Sequence, residues 1–173
     1  MTLSLYDIST GTYLQTLGAV AGFLDKGKSH CEANGIDLEE LVESRLYADM
    51  LPFRFQIVSV AHHSLNALKG IEAGVFGPPS GAPEYDYAGL QQLVADARAG
   101  VQGYTADKVN GWLGKDVVFQ LGERKMPFTA ENFVLSFSLP NFFFHATTAY
   151  DMLRMRGVPI GKRDFMGMPR IKT

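Results

Sequence analysis

Pro140-Asn141-Phe142-Phe143-Phe144-His145 sets two polar side chains, Asn141 and His145, one helical turn apart inside an otherwise apolar segment. A polar group withdrawn from water costs free energy unless a partner satisfies it, so both side chains need partners. The helix carrying them is expected over residues 130–156. Thr129 can cap its start, Glu131 complements the positive end of the helix dipole, and Gly157 followed by Pro159 stops it. Val134, Ser138, Asn141, His145, Thr148 and Met152 form one stripe at heptad-like spacing, polar at its centre. Phe142, Phe143 and Phe144 point in three directions around the helix, which leaves an aromatic ring for a partner subunit.

Working outward, 116–121 and 124–128 read as short strands flanking Gly122-Glu123, and glycine first in a two-residue connection suits a type II′ hairpin turn. A third long helix opens at the N-cap Asp86, with Leu90, Val94, Ala97, Val101 and Tyr104 on one stripe that continues towards Gly111. Residues 77–83 are too rich in proline and glycine for regular structure and form a loop. A second long helix fits 50–74, with Leu51, Phe55, Val58, Leu65 and Leu68 along one stripe and Pro52 in the first turn. Asp37-Leu38-Glu39-Glu40 resembles a capping box and opens a short helix ending before Asp49. The first helix covers 4–34, with Tyr6, Tyr13, Leu17, Val20, Leu24 and Cys31 on its stripe and Gly35 after its end. Residues 158–173 carry turn chemistry and charge without a helical period. Four long helices, one short helix and a hairpin predict an all-α fold, a four-helix bundle forming a single domain over 1–173.

Length and composition agree, since 173 residues with 46% hydrophobic content suffice for one well-buried core. A formal charge of −2, from 16 basic and 18 acidic residues, gives no reason to expect nucleic acid as a partner. The longest apolar run, 133–144, is shorter than the roughly 20 residues a membrane span needs. The start, Met1 to Asp7, lacks the basic region and apolar run of a signal peptide, and Cys31 is the single cysteine; both favour a cytoplasmic protein.

An i, i+4 pair suits two ligands of one ion, although the amide oxygen of Asn141 is a weak donor beside an imidazole. His62 and His63 on the second helix are the candidates to face the pair. At 100° per residue, His62 shares a face with Leu51, Phe55, Val58 and Leu65, whereas His63 falls among Gln56, Ser59 and Asn66, so His62 is the better interior candidate and His63 the alternative. Asp49 and Asp151 are possible further acids. His30 is placed to meet the dipole of its own helix. Cys31, on an apolar stripe, reads as an inert core thiol. Gly161-Lys162-Arg163-Asp164-Phe165 could meet an anion but reads more simply as a tail packed through Phe165. No glycine-rich phosphate loop, Cys-x-x-Cys pair or serine nucleophile elbow is present.

The helix order, the histidine-bearing second helix, Pro140 to Tyr150 and the following Gly157 to Phe165 together resemble the DinB/YfiT-like superfamily, in an uncharacterised branch of it. The resemblance covers nearly the whole chain. It implies an up-down-down-up four-helix bundle, often a homodimer, with a divalent metal (Zn, Ni or Fe) held by three histidines, one on the second helix and two at i, i+4 on the fourth. His145 matches the second of that pair, His62 or His63 the one on the second helix, and Asn141 stands where the first of the pair would be. The implied activity is that of a metal-dependent, thiol transferase-like enzyme with a degenerate His/Asn/His site. A metal-free bundle that binds a small molecule, and a dimeric structural protein without catalysis, are the alternatives.

Overall fold

The structure, a computed structural model, describes residues 3–79 and 84–172. Its helices and strands follow in the order α1 (Leu5–Ile8), α2 (Thr10–Asn34), α3 (Leu38–Glu43), α4 (Phe53–Ala61), the π-helical turn π1 (His62–Asn66), α5 (Ala67–Ala73), β1 (Val75–Phe76), α6 (Tyr87–Gln102), α7 (Ala106–Asn110), β2 (Asp116–Leu121), β3 (Arg124–Thr129), α8 (Ala130–Phe133), π2 (Val134–Ser138), α9 (Leu139–Met155) and α10 (Lys162–Met166). The molecule is mostly helical with one small sheet. No helix among the described residues is long and apolar enough to cross a membrane.

Local chemistry explains most of the boundaries. The expected first helix is divided at Ser9: Ser4 and Asp7 close a capping box on α1, and α2 then runs to Gly35, whose φ of +65° makes the left-handed cap. Asp37 caps α3 by accepting from the Glu39 amide. Pro52 is the N-cap of α4, just outside the helix, where its missing N–H costs nothing. Asp86 caps α6 through the Gly89 amide as expected, but that helix ends at Gln102 and Thr105 starts the separate α7, so the stripe does not continue unbroken to Gly111. Thr129 caps α8 through the Asn132 amide. The loop expected over 77–83 is described as far as Pro79; its remaining residues lie outside the described ones.

The hairpin joins β2 and β3 antiparallel, with Leu121 opposite Arg124, which leaves Gly122-Glu123 as the two-residue turn. Gly122 has φ +57° and Glu123 does not have positive φ, the type II′ pattern. The sheet has a third, unexpected strand: β1 adds to β2 in parallel, Val75 beside Val118 and Phe76 beside Phe119. Two residues are too few to show an alternating pattern. Helix α10 was also unforeseen; Asp164 accepts from the Gly161 amide at 2.7 Å and from Lys26 at 2.6 Å, which starts the helix and ties it to α2.

Helix α2 packs on α6 and α9, and α4 packs on the same two, so the long helices enclose one core. Tyr13, Leu17, Val20, Leu24 and Cys31 of the expected α2 stripe are all fully buried. The second-helix stripe is different: Phe53, Ile57, Val60, Leu68 and Ile71 are buried, while Leu51 is exposed and Phe55, Val58 and Leu65 are half-buried. Over the first half of that helix the face turned inward is therefore that of Phe53, Ile57 and Val60 and not the expected stripe of Leu51, Phe55 and Val58.

Candidate functional site

Both helices that face each other at the site contain a π turn, π1 on the second and π2 on the fourth. A π turn adds a residue to the ladder and loosens the carbonyls around it, and such turns recur at functional sites. Here one loosened carbonyl is used: Ser138 at the end of π2 donates its hydroxyl to the His63 carbonyl in π1 at 2.7 Å. With that proton committed, the Tyr13 hydroxyl, 2.7 Å away, is the donor to the Ser138 oxygen. Burial holds the Tyr13 phenol far above its ordinary pKa, so it keeps its proton. A buried chain of three residues from three helices thus fixes the backbone at His63.

His63 then faces His145. Their rings lie 6.1 Å apart, nearly parallel at 14°. The His63 ring also meets Phe76 at 5.5 Å and Phe137 at 5.9 Å, and its buried Nδ1 has no hydrogen-bond partner. Burial, with repulsion from His62 and His145 added, pushes its pKa down to about 3. His145 is oriented by Gln56: its Nδ1 lies 2.8 Å from the Gln56 Oε1, while the Gln56 amide nitrogen donates to the Leu51 carbonyl at 2.8 Å. An amide oxygen only accepts, so the Nδ1 of His145 carries the proton and its Nε2 offers a lone pair. Burial pushes its pKa down to about 4. Phe55 and Phe144 flank this ring, at 5.9 and 5.2 Å.

Asn141 donates its amide nitrogen to the Phe137 carbonyl at 2.7 Å, which leaves its Oδ1 as the free end, one turn from His145. Beyond lies an aromatic wall centred on Phe137, whose ring is 4.8 Å from Phe119, 5.7 Å from Phe128 and 5.6 Å from Phe133. The hairpin and β1 supply Phe119, Phe128 and Phe76 to this wall, which is how the small sheet contributes to the site.

His62 is not part of this group. Its ring lies 5.4 Å from that of His63, but its Nε2 meets the Gly77 carbonyl at 2.8 Å, its Nδ1 receives the Asn66 amide at 3.3 Å, and Phe76 lies against the ring at 4.5 Å. Both of its ring nitrogens are occupied, and it is the His63 ring that stacks across from His145. His63 is buried together with Gln56 and Ser59, whereas Asn66, expected on the same face, is exposed and pairs with His62.

The other candidates are dispersed. Asp49 lies exposed in a turn, and Asp151 is exposed on α9. The His30 Nε2 is 3.3 Å from the Arg156 carbonyl at the end of α9, so His30 links two helices instead of serving its own dipole. Cys31 is buried, and burial raises its thiol pKa. Phe165 packs against Tyr150 at 5.7 Å, as expected of a packed tail. Gln56 and Tyr13 were not foreseen as site residues. Gln56 carried a signal, being the lone amide in Phe53-Arg54-Phe55-Gln56-Ile57-Val58; Tyr13 carried none.

The donor set can be weighed against the metal that the resemblance implies. His63 and His145 are neutral imidazoles near physiological pH, the protonation state a metal requires, and each offers an unused ring nitrogen. Hydrogen bonding of one ring nitrogen to a fixed acceptor, as Gln56 provides, is the usual support of a metal-bound histidine. Against this, no three His, Cys, Asp or Glu side chains gather at metal-holding distance among the described residues, and the third donor is an amide oxygen. The residues present supply two imidazole nitrogens and one amide oxygen, one strong donor short of a three-histidine site.

Comparison with known proteins agrees on the family. The model of a family described as Domain of unknown function (DUF1993) matches residues 5–166. The chain is similar to the crystal structure of a DinB family member protein from Shewanella denitrificans, with 25% identity and a TM-score of 0.76 over 98% of this chain and 95% of that one. No curated protein matches.

Proposed function

The chain belongs to the DUF1993 family of unknown function, and from that premise we propose that it is a DinB-like up-down-down-up four-helix bundle holding a divalent metal at His63, Asn141 and His145. The observation that carries this reading is the facing pair of neutral imidazoles, 6.1 Å apart, with the buried Nδ1 of His63 left without a partner. Gln56 would hold the His145 ring in the tautomer that presents Nε2, the Tyr13 and Ser138 chain would hold His63, and Asn141 would add its Oδ1. Phe55, Phe137 and Phe144 would exclude water from one side. When bound, the ion would supply Lewis acidity at its open positions, lowering the pKa of a coordinated water or thiol, which is the basis of a thiol transferase-like activity.

Elemental analysis of natively purified protein, followed by Co(II) titration of the stripped protein, tests this. Stoichiometric Zn, Ni or Fe, or a cobalt absorption band lost in His63→Ala and His145→Ala but kept in His62→Ala, is the expected result. Absence of metal in the purified protein together with absence of cobalt binding overturns it. Asn141 in place of an imidazole favours a second reading, a metal-free site in which Asn141 and His145 orient a small ligand by hydrogen bonds. That reading requires His145→Ala to abolish ligand-induced stabilisation.

A further inference from the structure

The face of the second helix that the hydrophobic pattern marks as interior is left partly open, and a cavity of about 420 Å³ lies against it. Val58, Ala61 and Leu93 form apolar lining, with the His62 ring beside them. Neither His63 nor His145 lines this cavity, and the His62 and Phe76 rings, which do, stand between it and His63. Its volume lies within the range of small-molecule sites.

The polar groups lining it are unequal in kind. Lys69 has no ion-pair partner among the described residues, and the Tyr85 hydroxyl has no hydrogen-bond partner among them. Asn66 uses one amide hydrogen on His62 and keeps the other. The Gly77 carbonyl, an acceptor at the cavity wall, is already taken by His62. No Asp or Glu lines the cavity among the described residues. Spare donors, one fixed positive charge and an apolar wall select a single chemistry. We infer that this cavity is a second binding site, separate from the His63 and His145 pair, for a small organic monoanion, a carboxylate bearing an apolar body. The carboxylate would meet Lys69, Tyr85 and Asn66, and the body would lie along Val58, Ala61 and Leu93. One ammonium matches a single negative charge better than a phosphate dianion.

The test uses two probes of one shape, 4-phenylbutyrate and 4-phenylbutan-1-ol, with the His62 ring proton followed by NMR in the metal-free full chain. The acid should shift the His62 resonance saturably at concentrations up to about 10 mM, well above the about 1 mM dissociation constant of a weak small ligand. The alcohol should bind at least about tenfold more weakly, the usual discrimination from one charge-assisted hydrogen bond. Lys69→Gln should bring the acid down to the level of the alcohol, and Ala73→Trp, which fills the cavity mouth, should abolish both responses. Lys69 and Ala73 are exposed, so neither change should disturb folding. Equal binding of acid and alcohol, no shift of His62, or a wild-type response in both variants would overturn the inference.

Discussion

His63 and His145 are buried bases held neutral, and that has a measurable consequence at the scale of the residue. Their pKa values in the folded chain, about 3 and about 4, lie below the ordinary 6.5, so the unfolded chain binds more protons in between. Stability from this source is fully present above pH 6.5 and is lost as pH falls towards the folded values. The slope reaches at most about 1.4 kcal/mol per pH unit for each histidine. His62, lowered mainly by burial, adds in the same direction. Hydrogen bonds hold the carboxyls of Asp7, Glu72, Glu131 and Asp164 below the ordinary carboxylate range, so their contribution is lost at more acidic pH than that of the histidines. Urea unfolding of the metal-free protein at pH 7, 6 and 5 should give falling stability, with a shallower fall in His145→Gln. A flat profile between pH 7 and 5 would contradict the burial described for these rings.

At the scale of the element, the two π turns are coupled through Ser138. Ser138→Ala removes the donor to the His63 carbonyl and the acceptor for Tyr13, both inside the core, where an unsatisfied polar group costs about 1–3 kcal/mol. Tyr13→Phe leaves the bond from Ser138 to His63 in place and should cost less, about 1 kcal/mol. Equal losses in the two variants, measured by chemical unfolding, would show that the Ser138 to His63 bond contributes nothing of its own. The same elements show how far the sequence could be read. The helices and the hairpin follow from local chemistry: caps at Asp37, Asp86 and Thr129, the glycine at position 122, and stripes such as Leu17, Val20 and Leu24. The π turns do not, because an added residue in the hydrogen-bond ladder leaves no mark in hydrophobic spacing. Nor does β1, whose two residues exist as a strand only because β2 lies beside them. Asn141 and His145 were legible as polar residues in an apolar helix. Which of His62 and His63 faces them was not, since the second helix buries Gln56, Ser59 and His63 beside Phe53, Ile57 and Val60. Burying polar groups is unfavourable unless they meet others, and here Gln56 meets both His145 and the Leu51 carbonyl.

For the whole molecule, the three consecutive phenylalanines divide into core and surface as their helical directions require. Phe142 is fully buried, with its ring edge-on to Tyr13 at 5.2 Å, whereas Phe143 and Phe144 are 39% and 56% exposed. Phe142→Ala should destabilise the fold by about 3–5 kcal/mol, the usual cost of removing a buried aromatic ring. Phe143 and Phe144 support a different proposal, that a second copy of the chain covers this part of α9 in the homodimer implied by the family resemblance. Burial of exposed aromatic rings is a common source of interface energy. Sedimentation at micromolar concentration should then report a dimer for the native chain. Phe144→Asp should shift it towards monomer while leaving the circular dichroism unchanged, since that side chain contributes little to the protomer core. Retention of the native sedimentation coefficient by Phe144→Asp would remove this face from the interface, and a monomeric native chain would remove the dimer itself.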